Sequence, residues 1–411
     1  MGVALFDLDC FYAQVEIVNN PSLENKPVGI KQRSLMVTCN YIAREMGVSK
    51  TMSLREAKEI CPSLVIIDGS NLDKYREASY NVFKYLQQFG TVEKGGMDEF
   101  FVEILNIPKY AQKDENGCHY YGDVYGDLLD TSMYINYIRK SLLKDLRFTS
   151  SAGISTCKLF AKLCAGLHKP FQQTTMSIEY ANTYINTVDV KHIPGFGYAS
   201  REKLNISNPM TTLEFTAKYQ KIDIVKLLGD RYARIYDLMC GIDDSKVISS
   251  SLESVQISVE NIVSLSSMSN SLNKITKHLL QLIKDKEFTG NICKRWPKTL
   301  RILFGTNTWK RKSKSLPWPL KENEVELYKK LTAVIIKTIK PLLDKNINAW
   351  SINIAATNFE EILNKKSTML TYYANKNTIK VENESEYYCT ACDLNLPAFA
   401  KSAHLNFHKN S

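Results

Sequence analysis

Two groups of residues in this sequence have the types and spacing to do chemistry. The first is a set of acids. Asp7 follows an apolar run, Val3-Ala4-Leu5-Phe6, that suits a buried strand. Asp98 and Glu99 lie in Gly95-Gly96-Met97-Asp98-Glu99-Phe100-Phe101-Val102, where glycines and acids border another strand-like run. Acids beside such runs are costly to bury unless they are paired or bind a cation. Two such strands side by side would gather Asp7, Asp98 and Glu99 around one point. Hard divalent cations with oxygen ligands suit converging carboxylates, and two of them can clamp an in-line phosphoryl displacement.

The second group is Cys389, Cys392, His404 and His408, spaced C-x2-C-x11-H-x3-H. Two thiolates and two imidazoles, the latter four apart on a helix, make a closed tetrahedral Zn²⁺ site. So short a segment takes its folding energy from the metal. A DNA-reading finger usually carries basic residues on its helix. Here Ala398 to Phe407 is mostly small and apolar, which points to a protein partner.

Elements must position these groups. Asp9 shares the first strand end with Asp7. Phe11 to Val18 reads as a helix, Pro27–Ile30 and Leu35–Thr38 as strands around a polar turn, and Tyr41 onward as a helix. Ser53 caps another helix that ends before Pro62. A strand over 64–67 and a long helix over 72–89 follow, the latter with a core-type stripe of Tyr75, Tyr80, Phe83 and Tyr85. Residues 106–132 lack periodicity and read as a loop insertion, and 132–146 as a helix. Thr149 to Ser155 is a strand of small residues whose backbone should pack closely beside the carboxylates, and a helix over 158–167 continues from it. His192-Ile193-Pro194-Gly195-Phe196-Gly197 reads as a hairpin between helical patterns, with Gly195 and Gly197 letting backbone amides approach a phosphate.

A basic stretch holds Lys294, Arg295, Lys298, Arg301, Lys310, Arg311, Lys312 and Lys314 with no acid among them and Trp296 and Trp309 interleaved. Such a run is either a solvated face or a phosphate-tracking surface. Its Arg311 cluster also fits a nuclear localisation patch. The 411 residues exceed a single core and imply about two to four domains. Hydrophobic content of 44% with 23% charged residues describes a globular chain. No apolar run approaches a membrane span and no signal peptide is expected, so no membrane partner is expected either. A net charge of +10 favours a polyanionic partner. The 10 cysteines are mostly scattered in apolar segments, which suits reduced thiols.

Asp7-Leu8-Asp9-Cys10-Phe11-Tyr12-Ala13-Gln14-Val15-Glu16 resembles the first signature of the Y-family translesion DNA polymerases, and Met97-Asp98-Glu99 the second. Thr38-Cys39-Asn40-Tyr41-Ile42-Ala43-Arg44-Glu45-Met46-Gly47-Val48 resembles the family's finger motif. The N-terminal half is most like the iota branch, with eta as the neighbouring branch. The resemblance implies a multidomain α/β right-hand polymerase: palm over 1–10 and 72–180, fingers over 11–71, and a helix-hairpin-helix thumb over 181–246. A little finger follows over 253–360.

The resemblance also assigns roles. Asp7, Asp98, Glu99 and the Leu8 carbonyl would hold two Mg²⁺ ions, or Mn²⁺ in their place. Glu99 would help orient or deprotonate the primer 3′-hydroxyl. Tyr12 would be a steric gate against a 2′-hydroxyl, with Phe11 beside it at the nucleotide. Thr38, Tyr41, Arg44 and Lys169 would hold the triphosphate. Gln32 and Leu35 would face the templating base and Lys50 the incoming one. Gly195, Gly197, Lys294, Arg295, Lys298 and Arg301 would contact DNA. The implied reaction is low-fidelity synthesis from dNTP on a primer-template; the alternative is a non-catalytic scaffold for DNA, clamp and ubiquitin.

The tail adds two features. Residues 361–386 read as a flexible linker. Within it, Lys366 to Tyr373 resembles the sliding-clamp peptide motif, with Met369, Tyr372 and Tyr373 on one face of a 3₁₀ turn and Lys366 where the strict motif has Gln. Residues 387–411 resemble the ubiquitin-binding zinc finger of the eta branch, with Asn406 where those fingers commonly have Asp. Sliding clamp, ubiquitin or ubiquitinated clamp, and the nucleus are the partners and place this implies.

Overall fold

The apolar run at the N-terminus becomes β1 (Val3–Leu8), an interior strand of a six-stranded sheet. The computed structural model describes residues 2–32, 34–104, 107, 115–250, 256–264, 266–289, 292–305, 311–343, 349–362, 386–389 and 394–397. The chain divides into two units, Met1–Ser250 and Ser251–Ser411.

In the first unit β1 turns at Cys10, φ 38°, into α1 (Phe11–Asn19). There follow β2 (Val28–Gln32), β3 (Leu35–Cys39), α2 (Tyr41–Glu45), α3 (Leu54–Ile60) and β4 (Val65–Asp68). These build a separate three-stranded sheet ordered β3-β2-β4. Asn40 caps α2 by accepting from the Ala43 amide, and Ser53 caps α3 by accepting from Glu56. Next come α4 (Asp73–Leu86), β5 (Thr91–Lys94), β6 (Glu99–Glu103), β7 (Cys118–Tyr121), α5 (Gly126–Leu146), β8 (Ser150–Ser155), α6 (Lys158–Ala165) and β9 (Gln173–Met176). The main sheet is ordered β5-β6-β1-β8-β9-β7. Five helices close the unit: α7 (Ile178–Tyr184), α8 (Tyr198–Lys203), α9 (Thr212–Lys218), α10 (Lys221–Leu228) and α11 (Tyr232–Met239).

Both faces of β1 are covered, which is why it reads as a continuous apolar run rather than an alternating one. Ala4, Phe6 and Leu8 join Tyr75, Val82, Phe83 and Leu86 of α4 and Ile135, Ile138 and Leu142 of α5. Val3 and Leu5 join Phe101 of β6 and Ala161 and Ala165 of α6.

One feature differs from the sequence reading. Within the segment read as a loop, Cys118 to Tyr121 form β7, parallel to β9 at the sheet edge, and α5 begins at Gly126. A four-residue edge strand of half-buried polar and aromatic side chains has no apolar alternation to betray it.

The second unit contains β10 (Gln256–Ser264), α12 (Met268–Glu287), β11 (Phe288–Thr289), β12 (Ile292–Cys293), β13 (Arg295–Gly305), β14 (Arg311–Pro317), α13 (Tyr328–Ile339) and β15 (Ala349–Glu361). Its sheet is ordered β10-β15-β13-β14. Leu300, Ile302, Phe304, Ile352 and Ile354 pack against Leu272, Ile275, Leu279, Leu331 and Ile335 of the two helices. Part of the basic stretch is β14, an exposed edge strand; lysines on an edge discourage further strand pairing. Two short strands, β16 (Glu386–Cys389) and β17 (Leu394–Pro397), pair antiparallel with Cys389 opposite Leu394. Cys392, His404 and His408, and the clamp-like residues Met369, Tyr372 and Tyr373, lie outside the described residues.

Candidate active site

β1 and β6 run antiparallel with Asp7 opposite Glu99. The Leu8 amide donates to the Asp98 carbonyl at 2.9 Å, and the Gly95 amide donates to the Glu99 carbonyl at 2.9 Å. The tight turn before β6 thus sets Asp98 beside the end of β1. Asp7, Leu8 and Asp98 form one wall of a cavity of about 750 Å³, with Phe11, Tyr12, Thr38, Tyr41, Arg44, Lys50 and Lys169 around it. Asp7, Asp98 and all six residues assigned to nucleotide binding therefore meet at one place.

Burial pushes the Asp7 carboxyl above its ordinary range; Asp98 and Glu99 add to this and Lys169 opposes it. Burial and then Glu99 push Asp98 up as well. Two ammonium groups answer these acids: Lys169 Nζ stands 2.6 Å from Asp7, and Lys162 Nζ stands 2.6 Å from Glu99. Glu99 is turned onto Lys162 rather than lining the cavity. Among the described residues no group of three or more His, Cys, Asp or Glu side chains is gathered as an ion would need. The donor set still suits hard divalent cations, because buried oxygen donors repel one another and already attract cationic groups.

Also lining the cavity, the Arg44 guanidinium lies 4.5 Å from the Tyr41 ring centroid, and its Nε donates to the Cys39 carbonyl at 3.1 Å. The Tyr41 hydroxyl is buried without a hydrogen-bond partner, and burial pushes it up to about 12. Such an orphaned donor on a cavity wall suits an oxygen-rich ligand. Tyr12 is half-buried, with its ring at the cavity and stacked on Tyr75.

Asp9, two residues from Asp7, points elsewhere. It is buried, accepts from Ser151 Oγ at 2.6 Å and from the Phe171 amide at 3.0 Å, and so ties the segment after Lys169 to β1. Sequence reasoning missed three residues here. Lys162 stands one turn beyond Lys158 on α6, and the pair face Glu99 and Glu93; that spacing was the available signal. Tyr75 carried no signal beyond a core stripe. Cys10 lines the cavity, its thiol pushed up to about 12 by burial.

Residues 6–166 match the impB/mucB/samB family model. A DNA polymerase IV of Staphylococcus aureus (strain bovine RF122 / ET3-1) is 30% identical over 249 residues, 59% of this chain and 70% of the relative. The chain belongs to the Y-family of DNA polymerases. Human DNA polymerase iota is 30% identical over 437 residues that cover 97% of this chain, and mouse DNA polymerase iota is 32% identical over 338 residues that cover 76%. The chain spans 58% of the human relative's length and 46% of the mouse relative's. A solved Y-family DNA polymerase chimera shares the fold, with a TM-score of 0.69 over 88% of this chain and 100% of that one at 20% identity.

In the first unit of this Y-family chain, Gln32, Leu35, Gly195 and Gly197 do not line the cavity. Gln32 and Leu35 pair at the β2–β3 tip; Gln32 donates to the Gly69 carbonyl at 2.9 Å, and Leu35 is 48% exposed. Gly195 adopts φ +87°, and a Cβ there would come within 2.9 Å of Ile235, so the hairpin before α8 requires glycine. Gly197 has open space where a side chain would go. In the second unit, Lys294, Lys298 and Arg301 are exposed, Lys298 pairing with Glu360 at 3.2 Å. Arg295 is partly buried, and its guanidinium donates to buried Glu287 at 2.8 Å and 3.0 Å.

Proposed function

We propose that the chain is a low-fidelity, template-directed DNA polymerase of translesion synthesis that adds dNTPs to a primer 3′-hydroxyl. One observation carries this: Asp7 and Asp98, on adjacent strand ends, share a cavity with Tyr12, Tyr41, Arg44 and Lys169. Asp7, Asp98, Glu99 and the Leu8 carbonyl would hold two Mg²⁺ ions, or Mn²⁺. Bound there, the ions would lend Lewis-acid stabilisation to the charge at the α-phosphate. The primer oxygen bonds to the α-phosphorus as the bond to the β-phosphate oxygen breaks. Glu99, released from Lys162, orients the primer hydroxyl and accepts its proton. Lys169 turns from Asp7 to the β- and γ-phosphates and meets the leaving pyrophosphate. Arg44 binds phosphate oxygens with its planar fork, and the partnerless Tyr41 hydroxyl donates to another. Thr38 lies beside them. Tyr12, backed by Phe11, closes the space that a 2′-hydroxyl would need. Leu35 and Gln32 face the template base and Lys50 the incoming one.

On this reading the six-stranded sheet with α4 to α6 is the palm, the β3-β2-β4 sheet the fingers and α7 to α11 the thumb, whose Gly195–Gly197 hairpin holds a DNA phosphate. The second unit's sheet is the little finger, tracking DNA through Lys294, Lys298 and Arg301. The tail recruits: Met369, Tyr372 and Tyr373 to a sliding clamp, and a Zn²⁺ finger on Cys389, Cys392, His404 and His408 to ubiquitin, in the nucleus. The residue types and spacing support the tail assignments, as does the antiparallel pairing of β16 with β17, which puts Cys389 at a strand end.

Extension of a primed template by the purified chain with Mg²⁺ and four dNTPs tests the proposal. The expected result is template-directed addition. Binding to the same DNA with no addition would leave only the scaffold.

A further inference from the structure

Tyr12 does not meet the cavity alone. Its ring lies on that of Tyr75 with centroids 4.2 Å apart and planes 20° from parallel. Tyr75 is fully buried, and Phe11 meets it edge-on at 6.5 Å. The Tyr75 hydroxyl donates to Glu16 Oε1, and the Lys74 ammonium pairs with the same oxygen. Glu16 is itself buried and stands one helical turn after Tyr12 on α1, so both project from one face. A buried carboxylate is costly without partners; Tyr75 and Lys74 are those partners. Tyr75 is therefore held at three places: its plane by Tyr12, its edge by Phe11 and its hydroxyl by Glu16. The volume into which the Tyr12 ring would retreat is already filled, by a ring that is itself tethered.

We propose that Tyr75, anchored by Glu16, is the backstop of the sugar gate, a positioning residue that sets discrimination between deoxyribose and ribose without touching the nucleotide. The proposal rests on the reading of Tyr12 as the gate. A flat wall excludes a 2′-hydroxyl only if it cannot yield, and interiors as dense as this one transmit such stiffness. Lone aromatic side chains hop among rotamers; a stacked, hydrogen-bonded pair does so at greater cost. Ordinary core packing at Tyr75 would make a different prediction: its loss would lower stability and leave sugar choice alone.

The test is the ratio of kcat/KM for dCTP to that for CTP, opposite template dG, with the full chain. Tyr12→Ala is measured alongside as the control on the gate. Tyr75→Leu keeps bulk but removes the stacking plane, and the ratio should fall about tenfold, mainly through better use of CTP. Tyr75→Phe and Glu16→Gln keep the stack but weaken the tether, and the ratio should fall about threefold in each. If Tyr75→Leu does not fold, these two variants carry the test. A shifted ratio in Tyr12→Ala with wild-type ratios in the Tyr75 and Glu16 variants would overturn the backstop and leave the gate standing. An unshifted ratio in Tyr12→Ala would overturn both.

Discussion

Asp98 stands where burial and Glu99 raise its carboxyl above the ordinary value of 3.8, and Asp7 is raised by burial and by both neighbours. A carboxyl raised in the fold supports the fold while protonated, and that support is lost as pH rises through the folded value. At neutral pH the ionised pair therefore opposes folding, a tension common where stability is exchanged for function. Asp98→Asn should raise the Tm of the ion-free chain at pH 7 by roughly 2–4 °C for each 1 kcal/mol of relieved repulsion. The gain should shrink towards pH 4, where the wild-type acids take up protons. The variant should also lose the Mg²⁺-dependent rise in Tm expected of the wild type. Thermal melts at both pH values, with and without Mg²⁺, check this; a lower Tm for Asp98→Asn at pH 7 would show that the carboxylate is a net support.

At the scale of elements, α6 lies against β8 so closely that a Cβ on Gly153 would fall 2.0 Å from the Ala161 carbonyl oxygen and 2.3 Å from the Ala165 nitrogen. These are helix backbone atoms and cannot step aside singly. Gly153→Ala should therefore cost about 1–3 kcal/mol or more and displace the helix that carries Lys162. Urea unfolding measures the loss; a wild-type midpoint would mean that the helix and strand are less closely seated. The small residues Ser150-Ser151-Ala152-Gly153 announced a close neighbour, but the sequence reading took it to be the carboxylates rather than the helix. β1 and β6 were legible because apolar runs ending in acids have few other uses. β7 and β14 were not, since edge strands need no apolar face. The Lys162–Glu99 pair spans 63 residues of sequence, and no local pattern links them. Tyr75 was legible as core, and it is core; its contact with Tyr12 joins two helices whose relative placement no stripe of residues encodes.

At the scale of the whole molecule, the proposed chemistry belongs to the first unit and recruitment to the tail. Deleting residues 363–411 should leave primer extension on naked DNA at the wild-type rate. Zinc content should fall from about one equivalent per chain to none, since four ligands close one site. Metal analysis of both proteins checks this, and an equal zinc content would place the ion elsewhere. Charge points the same way: a net +10 favours a polyanionic partner, and on the proposed reading that hold on DNA does not depend on the acids. Single-nucleotide insertion by wild type and by Asp98→Ala/Glu99→Ala, on one primed template whose binding is measured in parallel, therefore tests the central claim most directly. Wild type should insert opposite each of the four template bases. The double variant should fall about 10³-fold or further in rate, with DNA affinity held within about twofold. Insertion by the double variant at the wild-type rate would contradict the account.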